Sequence, residues 1–309
     1  MAVLGLMWTF LAFISALCLG FYDISKKIAL RNHPVVDVLT FSVCFSAVLL
    51  SVPLVCSRFW PEMMLATPFY VPTMDLQAHL FTVLKSLIVL SSWVCAYMAL
   101  KHLPISVVSP LQATRPMWTL VGALLIFGER LNTWQWIGVC IALGTILVFS
   151  FFSKSKITHS HVNNRYYIAL VLAILLGAAS GLYDKYLMRR YDHNAVQVYY
   201  TFYQALMMLI VWGVVNRKEH KSHIANYRFG AGLLPIALIS VFLIISDNVY
   251  MLALRDPDSL IAVVSTIRRG GAVIGFAYGL LFLKEEDPLP KILCMLGIGA
   301  GLLCLAFGA

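Results

Sequence analysis

Two stretches, GFYDISKKIAL at residues 20–30 and GLYDKYLMRRY at residues 181–191, each close a long apolar run with Gly, an apolar residue, Tyr and Asp. A chain that writes one ending twice is read as a duplication, and further matches follow in the same order. YMALK at 97–101 is answered by YMLALR at 250–255, and VVS at 107–109 by VVS at 263–265. The GER at 128–130 stands where the second half has KEE at 284–286, so only the acidic position is kept there.

The duplicated unit is apolar. A spanning helix needs about 20 predominantly apolar residues, and ten runs meet or approach this length: 2–22, 35–56, 80–100, 105–127, 134–152, 166–188, 195–215, 233–254, 260–283 and 292–308. The chain is 61% hydrophobic and 12% charged, with mean hydropathy +0.84, against about 25% charged residues in soluble domains. The runs do not alternate apolar and polar residues, which excludes the strands of a membrane barrel. Run one has no basic flank before it and no clear small-residue cleavage site, so it reads as a retained helix and not as a secretory signal. The expected fold is an all-α integral membrane protein of ten transmembrane helices, arranged as two five-helix repeats at residues 1–155 and 162–309. Because five is odd, successive repeats lie in opposite orientations, and inverted repeats place a binding site between them near the bilayer midplane.

The ten-helix layout, the five-plus-five duplication and FGERLNTWQWIGVCIALGTIL at 127–147 resemble the EamA-type members of the drug/metabolite transporter superfamily. The family's Gly-Glu-Arg marker stands here as Gly128, Glu129 and Arg130. The resemblance implies a permease for small metabolites, commonly an exporter, in a bacterial inner (plasma) membrane. It implies a carrier and no enzyme, and it does not name the solute.

Charges deep in the runs point to chemistry. Arg115 lies mid-run in SPLQATRPMW, and Arg268 and Arg269 lie in VVSTIRRGG. An arginine at mid-bilayer costs at least about 2.5 kcal/mol on insertion scales, so it faces the bundle interior or a wet cavity. Pro116 removes a backbone donor and favours a kink, while Gly270 and Gly271 allow close backbone approach. A guanidinium fork fits carboxylate or phosphate. Asp247, in LIISDNVYML, is the alternative partner for Arg268 or Arg269. Three arginines against one deep aspartate leave positive charge over, which favours an anionic or zwitterionic solute such as an amino acid. Asp23 stands three and four residues before Lys26 and Lys27, the spacing of a helix-surface ion pair. Asp184 has no base at that spacing and is the freer candidate to bind a proton or cation; Asp23 and Asp247 are the other candidates for proton coupling, and Lys26 for charge pairing.

Among aromatic residues, Trp93, Tyr97, Trp118, Tyr183 and Tyr250 are candidates to line a cavity, and the duplication of Tyr97 by Tyr250 singles out that pair. The four-residue spacings of Gly177 with Gly181, and of Gly271, Gly275 and Gly279, read as close helix contacts in lipid. The seven cysteines fall in the runs without a Cys-x-x-Cys pair, and the His clusters at 159–161 and 220–223 lack partners of regular spacing, so no metal is expected. No Gly-Lys-Ser/Thr loop is present, and no cofactor is expected. The net charge of +9 belongs to loops that set orientation, not to nucleic-acid binding. Lys and Arg favour the loops after odd-numbered runs, which would put both termini outside; the resemblance implies both inside. The expected partners are the lipid bilayer and a small-molecule solute, with a homodimer left open. The rivals are a membrane-embedded transferase or flippase acting on a lipid-linked anion through the same arginines, and a passive channel.

Overall fold

The computed structural model describes residues 2–30, 33–103, 108, 111–112, 114–152, 164–219, 233–281 and 288–308. The described elements are all helical: α1 Ala2–Ala29, α2 Val35–Phe59, α3 Pro61–Leu65, α4 Leu76–His102, α5 Arg115–Ile126, α6 Thr133–Phe152, α7 Asn164–Met188, α8 His193–Glu219, α9 Leu233–Arg255, α10 Ile261–Arg269, α11 Ala272–Leu281 and α12 Pro288–Phe307. No strand occurs among the described residues. Among the described residues six helices, α1, α2, α4, α7, α8 and α9, are long and apolar enough to cross a membrane. Large apolar side chains such as Phe10, Leu17, Val48, Val52, Leu206 and Ile210 are exposed on them. Such surface in water would mark an aggregation site; on a spanning helix it is the lipid face.

Local signals set several helix ends. Asp75 accepts a hydrogen bond from the Ala78 amide (3.0 Å) and starts α4 earlier than the apolar run suggested. Asp192 does the same for α8 through the amides of Asn194 and Ala195. Gly128 ends the turn after α5 at φ 62°, a left-handed conformation that glycine adopts without a Cβ clash. The connection between α2 and α4 contains α3 and is tied to the bundle. Arg58 donates to the Val71 carbonyl, and Asn194 donates to the carbonyls of Pro68 and Tyr70.

Two of the apolar runs are not continuous helices. Run nine is split into α10 and α11 at Gly270–Gly271, where short backbone bonds from Gly270 to Ile267 and from Gly271 to Arg268 replace the regular ladder. In run four, the described helix α5 begins at Arg115 itself, with Pro116 in its first turn, where a missing amide costs little. Leu111 and Gln112 before it are helical and Thr114 is a turn, so the run is interrupted beside Pro116.

The most extensive helix pairings are α1 with α9, α6 with α12, α4 with α7 and α2 with α8. Lipid supplies no hydrophobic drive for such contacts, so small residues and polar groups hold them. Ser15 and Ser246 each donate to the other's carbonyl (2.8 and 2.9 Å), joining α1 to α9. Ser92 donates to Ala173 between α4 and α7, and Ser240 to Ser42 between α9 and α2. At the α6–α12 crossing, a Cβ on Gly138 would meet the Gly301 carbonyl at 2.8 Å, and one on Gly301 the Ala142 amide at 2.7 Å. The two backbones touch there.

Candidate functional site

At the centre of the bundle lies a cavity of about 470 Å³, lined from α1, α2, α4, α5, α7, α8, α9 and α10. Arg115, Arg268 and Arg269, taken from two distant runs by sequence reading, all line it. So do Trp93, Tyr250, Asp23, Asp184, Asp247 and Lys26.

The three arginines are held differently. Arg115 donates from Nη2 to the Gly177 carbonyl (2.6 Å), and its guanidinium lies where a Cβ on residue 177 would be, 2.3 Å from Cζ. Gly177, expected as a helix-packing surface, is thus a seat for the Arg115 side chain. Arg268 pairs with Asp247 (2.8 Å) and lies 4.0 Å from the Tyr250 ring centroid, so the expected structural pair forms at this arginine. Arg269, one helical step further, is solvent-accessible through the cavity and has no ion-pair partner among the described residues.

The aspartates depart from expectation. Asp23 does not pair with Lys26, whose ammonium lies 5.6 Å from the Tyr22 ring centroid. Its carboxylate is open to the cavity, within the field of Lys26, Arg269 and Arg268. Asp184 is not free: Lys85 of α4 contacts it at 2.7 Å, with the lysine side chain 3% exposed. Sequence reading missed Lys85 because it took run three to begin at residue 80, which put Lys85 near a helix end. Asp75, an N-cap residue ahead of the run, was the signal that places Lys85 well inside α4. Tyr200 of α8, also unforeseen, sits against it at 4.4 Å from the ring centroid.

Five basic side chains (Lys26, Lys85, Arg115, Arg268 and Arg269) and three acidic ones (Asp23, Asp184 and Asp247) therefore line one cavity. Two acid–base pairs cancel. Among the described residues Arg115 and Arg269 have no carboxylate at ion-pair distance. The arrangement attracts an anionic group, and Asp23 offers a counter-charge for a cationic one.

Other candidates lie elsewhere. Tyr183 turns from the cavity, donating to the Phe81 carbonyl (3.3 Å) and stacking on Tyr186; it adjoins Asp184 in sequence, and consecutive helical residues point about 100° apart. Trp118 is exposed on the outer surface. The side chain of Tyr97, the KEE at 284–286 and the His clusters at 159–161 and 220–223 lie outside the described residues. Among the described residues no group of His, Cys, Asp and Glu is arranged to hold a metal.

The Gly-Glu-Arg turn has a positioning role. Glu129 is buried and accepts from Lys185 Nζ (2.6 Å), from the Ile261 amide (2.7 Å) and from the Ala262 amide (3.1 Å). It caps the first turn of α10, the helix whose last turn carries Arg268 and Arg269. Lys185, next to Asp184 but on another face, also donates to the Ser259 carbonyl. One carboxylate thus ties α5, α7 and α10 together beneath the cavity wall.

A crystal structure of a protein aligns with TM-score 0.73 over 96% of this chain and 95% of that chain, at 12% identity. At that identity the likeness shows the fold alone. No curated protein matches the sequence. Residues 6–151 match the model of the EamA-like transporter family, and that stretch contains the Gly-Glu-Arg turn. That match makes residues 6–151 similar to EamA-like transporters of the drug/metabolite transporter superfamily, and with its apolar helices of spanning length the chain is a multi-pass integral membrane protein.

Proposed function

We propose that this chain is a secondary carrier that moves a small anionic or zwitterionic solute by alternating access, using a ten-span arrangement of two inverted five-helix repeats at residues 1–155 and 162–309. The observation that carries the reading is the central cavity in which Arg115 and Arg269 lack an acidic partner among the described residues. Helix pairing supports the repeat. If α1 corresponds to α7, α2 to α8, α4 to α9, α5 to α10–α11 and α6 to α12, the contacts fall into mates: α1–α9 with α4–α7, and α4–α8 with α2–α9. Under the same correspondence Arg115 matches Gly271, so both broken runs interrupt at the same level. Interruptions of this kind at the midplane are where carriers expose backbone to substrate.

In this mechanism the solute's anionic group meets Arg115 and Arg269 while Asp23 takes any ammonium. Rocking of one repeat against the other then opens the cavity to the opposite side. Export is the direction implied by family resemblance.

The test is thermal stabilisation of the purified protein by a panel of amino acids, organic acids, sugar phosphates and neutral or cationic drugs, since a ligand of the folded state raises apparent stability. Hits are then assayed for saturable flux and counterflow in vesicles. Arg115→Gln and Arg269→Gln are each expected to weaken an anionic hit about tenfold or more. Normal transport by both variants, or hits confined to neutral and cationic compounds, would sink the arginine assignment.

A further inference from the structure

Gln204 of α8 is 1% exposed, and neither its Nε2 nor its Oε1 has a hydrogen-bond partner among the described residues. A primary amide brings two donors and two acceptor sites, and burying them unmade is costly, so such a group calls for a partner. Several of its polar neighbours send their donors elsewhere. Thr201 donates to the Gln197 carbonyl and Ser46 to the Ser42 carbonyl. Gln197 donates to the Ile244 carbonyl and accepts from Asn248.

Beside Gln204 is a chamber of about 80 Å³, several times the volume that one water requires. It shares Tyr22, Trp93, Tyr200 and Asp247 with the central cavity and so adjoins it. Its acid, Asp247, is committed to Arg268. An ionic group entering the chamber would find no free counter-charge, and an apolar one would leave the Gln204 amide unmade.

We propose that this chamber is a specificity subsite of the carrier, which takes up a small neutral end group that both donates and accepts hydrogen bonds, of carboxamide type, while the solute's anionic group lies at Arg115 and Arg269. The subsite rests on the carrier reading above. It ranks solutes of one charge class by their far end, which the arginines do not see.

The experiment uses two probe pairs on the full-length protein, read by thermal stabilisation: L-glutamine against L-norleucine, and succinamate against valerate. Within each pair the charged end is shared and only the terminal carboxamide differs. Wild-type protein is expected to favour the amide member. Gln204→Leu and Gln204→Met are each expected to weaken the amide member about tenfold or more and to leave its apolar mate unchanged or improved. The methionine variant keeps the unbranched shape and carries the test if the leucine variant does not fold. Absence of an amide preference in wild type, equal loss of both members in the variants, no loss in either, or no binding of any of the four probes would overturn the subsite. Arg269→Gln separates the two readings: it should weaken both members of a pair alike, and if it weakens neither while Gln204→Leu still erases the amide preference, the arginine assignment falls and the chamber stands.

Discussion

At the scale of single residues, the consequential groups are buried charges. Glu129 and Lys185 have side chains 2% and 1% exposed, so removing either one leaves an uncompensated charge. Glu129→Gln and Lys185→Met are each expected to lower stability by about 3–5 kcal/mol, read as a fall in melting temperature in detergent. The double variant should cost less than the sum of the two, since no lone charge remains; additive losses would show that the pair is not coupled. Asp192 is different, because it lies outside the spans and titrates against solvent. Partial burial works to raise its carboxyl, but the nearby His193 ring, the Ala195 amide and Arg255 outweigh this and hold it below the ordinary carboxylate value. A lowered folded value means that its stabilisation is complete above the unfolded value of about 3.9 and is lost as pH falls through the lower folded one. Asp192→Ala is therefore expected to cost about 1 kcal/mol as a lost helix cap at neutral pH. The difference from wild type should shrink when melting is measured in strongly acidic buffer.

At the scale of elements, the break in run nine decides where two arginines point. The turn at Gly270–Gly271 lies against α1, where a Cβ on Gly271 would come 2.5 Å from the Ala16 carbonyl and 3.2 Å from the Gly20 amide. Backbone atoms cannot yield as a side-chain tip can. Gly271→Ala is expected to destabilise by about 1–3 kcal/mol through this overpacking and to weaken solute binding, because α10 must shift. A Cβ on Gly275, four residues on, would meet nothing within 4 Å. Gly275→Ala should be neutral or slightly stabilising on helix propensity. Similar melting temperatures for the two variants would refute this account of the break. The shared four-residue spacing suggested one role for both glycines; the neighbouring helix separates them.

At the scale of the whole molecule, residues far apart in the chain meet around one cavity. Lys85 and Asp184 come from α4 and α7, Asp247 and Arg268 from α9 and α10, and Asp23 and Arg115 from α1 and α5. The paired charges fix helices to one another, and the unpaired ones face the opening. That division gives the carrier reading its physical content: a neutralised frame around a positive, wet interior that a solute can enter.

The membrane, the helices and the charges that must avoid lipid are legible in the chain's residues alone, because hydropathy and the cost of an intramembrane arginine are properties of single residues and short runs. So are the duplicated endings and the Gly-Glu-Arg turn, which are local patterns. Only the tertiary structure decided which charges are spent and which are free. Asp184 looked unpaired along its own helix and is matched by Lys85 from another, whereas Asp23 looked paired by spacing and is open. Spacing along one helix reports neighbours on that helix, but in a bundle the nearest opposite charge sits across an interface, and side-chain rotation about the helix axis sends Tyr183 outward and Asp184 inward. The amide of Gln204 gave no signal in sequence, since a glutamine within an apolar run becomes informative only when its surroundings leave it without a partner.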